Sequence, residues 1–357
     1  MLKIGILITR LKAEKDKNEL LNINSTKRPW LKKTPHHLTI IHKGKRCTSG
    51  DVSIGMYIGD KFGIDIDFIS PEEISVKRCH SNDINFMLIF DLIECYHVDY
   101  KKKGNKALFD NFKKTLQRVR NMYPPYYYQK FINNKCSYIS HLDKKLTPTI
   151  PTFCITQKNY FKNGIKDTME KLQKKIKSQK WTKIIGKPIY GQEAIDFKIF
   201  NPNDNGNKAL VKYMDQCFNK YPGIIFQKYI EGFDKEIPEI RLYFIGGKYE
   251  YSVITTSKSI KLPKDEGGTG IIQNKNEIIT KGYDIIKDLP EIKMNGIVLP
   301  NLLTRLDIGC LQDNSIFVNE VEFVPSLYVD VIKVLPEPML GDEMVNILKR
   351  FKKIDSL

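Results

Sequence analysis

The sequence predicts an α+β chain, with an N-terminal α/β unit on a parallel sheet and a mainly antiparallel C-terminal half. Three observations predict it. Apolar runs at 3–9, 64–70 and 84–90 flank a helical pattern at 51–62, the strand, helix, strand order of a parallel sheet. From residue 223 onward, alternating runs at 224–230, 239–245, 249–255, 304–310 and 315–323 suit antiparallel pairing. A chain of 357 residues that is 41% hydrophobic can fill one large core or two to three small ones.

Taken in order, the first strand is followed by a basic segment, 12–46, containing Pro29, Trp30 and Pro35, which reads as an inserted loop or arm. An amphipathic helix is predicted over 110–122. Pro124-Pro125 and the three tyrosines after it mark a linker. A second unit begins near Cys136, with a lysine-rich helix at 163–180 and strands at 182–187 and 195–200. The expected domains are 1–135, 136–222 and 223–357.

The formal charge of +17 attracts nucleic acid, acidic lipid, polyphosphate or acidic peptide without choosing among them. The chain has no Walker loop, no GxGxxG turn, no closely spaced zinc ligand set and no aromatic signature of an RNA-binding sheet. Nucleic-acid binding is therefore expected to be weak and nonspecific if it occurs. Cys79-His80 and Cys95-x-His97 could be half a zinc site, but no second half is visible. Seven scattered cysteines read as reduced thiols, and no run approaches the length of a membrane helix, so a cytoplasmic protein with no membrane contact is expected. Oligomeric state is not encoded in any motif.

The residues with the most chemistry lie in a predicted hairpin. Asp313-Asn314 suits a two-residue turn, since Asn tolerates positive φ. In that register Asp307 faces Glu320 and Arg305 faces Glu322, with both glutamates on the side of Ile316 and Val318. Like charges opposite one another destabilise a sheet, so something cationic belongs there, and hard oxygen ligands without His or Cys suit Mg²⁺. The alternative is that Arg305 neutralises Glu322 and the other acids point to solvent. Lys187 ends a strand at Lys187-Pro188, where its ammonium could reach a phosphate. Gln227-Lys228-Tyr229-Ile230 runs into a Gly232 break, where backbone groups could meet an adenine edge. Glu239 and Arg241 share one strand face, and Gly246-Gly247 turns the hairpin.

In this order the pieces resemble the ATP-grasp superfamily, which includes D-alanine:D-alanine ligase, bacterial glutathione synthetase and the ribosomal-protein glutamate ligases. The resemblance covers roughly 136–330. It implies that Lys144, in His141-Leu142-Asp143-Lys144-Lys145, is the first nucleotide lysine, with Lys145 the alternative, and that Lys187 is the second. It also implies that Gln227, Lys228, Tyr229 and Ile230 hold adenine, that Glu239 holds the ribose, and that Asp307, Glu320 and Glu322 hold two Mg²⁺ ions, Mn²⁺ being a possible substitute. Arg305, Arg241 and Lys258 take catalytic roles, with the loop 264–270 as a closing segment. Two departures from the pattern stand out: Glu322 replaces the usual asparagine, and the glycine-rich loop after Lys187-Pro188 is reduced to Ile189-Tyr190-Gly191-Gln192.

The implied activity is ATP- and Mg²⁺-dependent ligation, in which a carboxylate takes the γ-phosphate and the acylphosphate is captured by an amine or thiol. The positive charge suggests an acidic peptide or small metabolite as substrate. An inositol polyphosphate kinase-like activity on the same fold is the first alternative. A non-catalytic, basic nucleic-acid-binding protein is the second.

Overall fold

The computed structural model describes residues 2–9, 20–191, 195–202, 207–233, 236–311, 313, 315–329 and 331–354. The expectations for 12–19 of the basic segment, for Gln192 and for the Asn314 turn lie outside them.

The N-terminal unit is built on β1 (Lys3–Leu7), α1 (Gly50–Phe62), β2 (Asp65–Ile69), β3 (Ile84–Met87) and β4 (Met122–Tyr123). Its sheet runs β2-β1-β3-β4, and every pair is parallel. Ile4, Ile6, Ile84 and Phe86 are fully buried, as in a parallel sheet covered on both faces.

The basic segment is packed rather than loose from residue 20 onward. It forms a small sheet of Leu21–Asn22, Lys45–Thr48 and Ile40–His42, with 3-10 turns at Pro29–Lys33 and His36–Leu38. The reason is apolar content among the lysines: Leu21, Ile23, Trp30 and Leu31 bury together, with Met56 and Tyr57 of α1 against them. The expected tyrosine linker is likewise a helix, Tyr126–Ile132, because Pro125 occupies its N-cap and starts the helix instead of breaking it. Tyr128 is buried and donates to Asn301 Oδ1 at 2.8 Å.

A helix absent from the sequence reading, α2 (Lys135–Lys144), is capped by Asn134 and leads into the second unit. That unit comprises β5 (Thr152–Thr156), α3 (Gln157–Ser178), β6 (Ile184–Pro188), β7 (Lys198–Phe200), α4 (Asn207–Phe218) and β8 (Gly223–Lys228). Its antiparallel sheet runs β7-β6-β8-β5. So β8, grouped by sequence with the C-terminal strands, pairs here instead; alternation marks a strand but not its partner. This unit has its own core, with Leu172, Trp181, Ile184, Leu210, Phe218 and Phe226 among its residues. One cysteine expectation is also corrected. Cys136 of α2 and Cys154 of β5 are disulfide-bonded, with Cα atoms 5.8 Å apart, while Cys47, Cys79, Cys217 and Cys310 are free thiols.

The C-terminal sheet runs β11-β10-β9-β12-β13, with β9 (Glu239–Ile245), β10 (Lys248–Thr256), β11 (Ser259–Lys261), β12 (Leu303–Cys310) and β13 (Ile316–Glu322). Gly246 and Gly247 turn β9 into β10 at φ of 59° and 78°, where a side chain would be strained. The last helix, α5 (Pro336–Lys352), packs back on α1 of the N-terminal unit, and Tyr57 donates to Asp342 at 2.8 Å. Ile6, Tyr123, Leu242, Leu306 and Met344 therefore share one core that joins the first and third units.

Candidate functional site

The site grows from the register of three adjacent strands. Across β9, β12 and β13, one row is Arg241, Asp307 and Glu320, and the next is Tyr243, Arg305 and Glu322. Asp307 thus faces Glu320, and Arg305 faces Glu322, as the sequence register predicts. The hairpin reaches that register differently, however. Ile308 pairs with Val318 and Cys310 with Ile316, so Asn319 is an extra residue, a bulge beside Asp307. The bulge moves Ile316 and Val318 to the other face from Glu320 and Glu322, which corrects the expected shared side. It separates a polar face from an apolar one within a single strand.

Oxygen atoms of Asp307, Glu320 and Glu322 lie within 4.8 Å of one another. Such a spacing lets three carboxylates converge on a cation. Asp307 is buried, and the side chains of Glu320 and Glu322 remain 20% and 34% exposed, so the cluster opens on one side. Arg305 lies between two of them: its Nε is 2.6 Å from Asp307 Oδ1, and its second guanidinium nitrogen is 2.7 Å from Asp307 Oδ2 and 2.8 Å from Glu322 Oε1. Arg305 therefore neutralises Glu322, as one sequence reading allowed, yet Asp307 and Glu320 do not point freely to solvent.

Two lysines complete the cluster. Lys187 Nζ is 3.0 Å from Glu320 Oε1, and Lys135 Nζ is 2.9 Å from the same oxygen. Burial opposes the charge on Glu320, but Lys135 and Lys187 together outweigh it and hold the carboxyl well below its usual range. Burial pushes Glu322 up to about 7, with the Arg305 guanidinium resisting and Asp307 and Glu320 adding to the rise. Lys187 is pushed down by burial against the pull of Glu320, while Lys135 is held up, because Glu320 and Tyr138 more than offset its burial.

Lys135, and not Lys144, is the α2 lysine brought to the cluster. The two stand at opposite ends of α2, roughly 13 Å apart at 1.5 Å per residue. Lys144 and Lys145 are both exposed, and neither is brought into the cluster. A detectable signal for Lys135 did exist: a lysine in the first turn opposes the helix dipole and so calls for an anion. Asn319 and Tyr328 join the hydrogen bonds around the cluster. Asn319 donates to Glu239 Oε1 at 2.7 Å, and Tyr328 accepts from Arg241. Ser326 and Leu327, just before Tyr328, are held through their carbonyls by the stacked pair Tyr243 and Tyr251.

Glu239 is buried and bound by Arg241 at 2.7 and 2.8 Å. Gln227 is 1% exposed; its amide nitrogen donates to Thr152 Oγ1 at 2.9 Å, and its carbonyl oxygen has no partner among the described residues. An orphaned acceptor on β8 fits an exocyclic amino group such as that of adenine. Lys228 is exposed, and Tyr229 and Ile230 are half-buried beside it. Lys258 sits exposed at the β10–β11 turn, and no contact places it in the cluster. The loop around 264–270 is fastened through Glu266, which accepts from Tyr249 at 2.6 Å, Ser252 at 3.0 Å and Lys275 at 2.7 Å.

No family model matches the chain, and no curated protein matches it in sequence. Solved structures do match in fold. A D-cycloserine synthetase, DcsG, shares 12% identity over 97% of this chain and 100% of its own, with a TM-score of 0.62. The D-alanine–D-alanine ligase of Bacillus anthracis, complexed with ATP, shares 14% over 100% of both chains at 0.53. The ATP-grasp ligase PsnB, complexed with a minimal precursor, shares 10% over 96% and 98% at 0.56.

Proposed function

Given that the chain has the ATP-grasp fold, we propose that it is an ATP- and Mg²⁺-dependent ligase. The observation that carries this reading is the convergence of Asp307, Glu320, Glu322, Arg305, Lys135 and Lys187 on one open cluster. The three carboxylates would hold divalent cations, which supply charge neutralisation to a polyphosphate. Lys135 and Lys187 would bind phosphate oxygens, Gln227 would orient the base and Glu239 the ribose.

In this reading a substrate carboxylate oxygen attacks the γ-phosphorus, the bond to the ADP oxygen breaks, and Arg305 and Arg241 stabilise charge on the transferring group. An amine or thiol then attacks the acyl carbon and phosphate leaves. PsnB is described with a precursor peptide and DcsG as a D-cycloserine synthetase, so the fold serves more than one class of substrate. An acidic peptide is favoured here by the charge of +17.

Hydroxylamine trapping tests the reading. With ATP, Mg²⁺ and an oligoglutamate peptide or a panel of free amino acids, a ligase forms a hydroxamate along with ADP. Phosphate ester formation without hydroxamate would indicate a kinase instead.

A further inference from the structure

Every carboxylate assigned to cations in this site already carries a cation of the protein. Arg305 serves Asp307 and Glu322 together. Lys135 and Lys187 both serve Glu320, and both on the same oxygen, Oε1, at 2.9 and 3.0 Å. The lysines come from different elements, α2 and β6, so no local pattern forces them together. Two ammonium groups, each almost buried at side-chain exposures of 11% and 13%, are tolerated side by side because Glu320 lies between them.

A divalent cation drawn to Glu320 meets two hydrogen-bonded ammonium groups whose charge repels it, so its binding favours their departure from the carboxylate. Those ammonium groups, on flexible stems, need another anion before leaving the carboxylate. A polyphosphate brings that anion and the cation brings the replacement charge. We propose that Lys135 and Lys187 are internal counter-ions of Glu320 that the metal–nucleotide complex exchanges for its own charges, so that metal and nucleotide bind as one unit and each alone binds poorly. Their coupling is reciprocal, as linkage requires. The inference rests on reading this cluster as the nucleotide and metal site.

The exchange makes an unusual prediction about Lys187. A lysine that only contacts phosphate would leave metal affinity alone when removed; a counter-ion that competes with the metal would not. The test measures Mn²⁺ binding by electron paramagnetic resonance without nucleotide, and AMPPNP binding by calorimetry with Mg²⁺, in the wild type, Lys187→Met and Lys135→Met. Methionine keeps the bulk of the buried stem, and Lys187→Gln provides a second variant with a polar end. Lys177→Met, on the exposed side of α3, controls for the loss of one positive charge.

The expected result is opposite signs: free Mn²⁺ binds about tenfold more tightly to Lys187→Met, while AMPPNP binds about tenfold more weakly, and Lys177→Met changes neither. Mn²⁺ affinity unchanged or reduced in Lys187→Met and Lys135→Met would overturn the counter-ion exchange. Failure of the wild type to bind AMPPNP would instead sink the nucleotide reading, and the Mn²⁺ comparison would still judge the exchange.

Discussion

Glu322 is the residue whose chemistry is most exposed to measurement. Its carboxyl sits near 7 against an ordinary value of 4.5, so between those values the folded state holds a proton that the unfolded state has lost. Stability contributed by this group therefore falls as pH rises from about 4.5 to about 7. In metal-free protein, the melting temperature of the wild type relative to Glu322→Gln should decline across that window; parallel curves would remove the assignment. Nucleotide affinity separates the two lysine candidates. Lys135→Ala should lose roughly 1.5–3 kcal/mol of ATP binding, the scale of a charge-assisted contact, and Lys144→Ala should lose almost none. At this scale the sequence was legible where chemistry and register coincide, as at Arg305, Asp307, Glu320 and Glu322. It was not legible at Lys135, because the first-turn signal depends on a helix that the sequence pattern hides, and the partner carboxylate lies 185 residues away.

Elements were read well where alternation and turn residues agree. The strands 239–245 and 304–310 appear with almost the expected ends, as Glu239–Ile245 and Leu303–Cys310. Helices such as α2, α4 and α5 escaped notice, since their apolar spacing is diluted by polar residues and their partners lie far along the chain. The β12–β13 hairpin shows how a pairing can match expectation at one end of a ladder and differ at the other. The pair Cys310 and Ile316 is one residue off the expected register, and the bulge at Asn319 restores it by the time the ladder reaches Asp307. Gly309 faces Phe317 across that hairpin, and a Cβ there would lie 2.2 Å from the ring. Gly309→Ala should therefore destabilise the protein by about 1–3 kcal/mol, the range for overpacking, as read by urea unfolding. A change below about 0.5 kcal/mol, the size of an ordinary surface substitution, would mean that Phe317 yields easily.

For the whole molecule, the α/β unit followed by an antiparallel half was legible, while the way that distant parts close on one another was not. Arg28, from the segment that reads as a basic arm, reaches Glu337 at 2.6 Å, with side-chain exposures of 11% and 1%. Arg28→Met leaves a buried carboxylate without its cation, which should cost about 3–5 kcal/mol and be visible as a lower unfolding midpoint. An unchanged midpoint would mean that the contact is dispensable. Two of the separate buried clusters also give the chain a built-in pair of optical probes. Its only two tryptophans fall one to each: Trp181 lies in the core of the second unit, and Trp30 packs against Tyr57 of α1. Trp181 makes no hydrogen bond through its indole nitrogen among the described residues, so Trp181→Phe silences one emitter without breaking a polar contact there. The emission left in that variant reports the N-terminal side alone, and its difference from the wild-type signal follows the core of the second unit, so loosening of either part on addition of nucleotide can be watched separately.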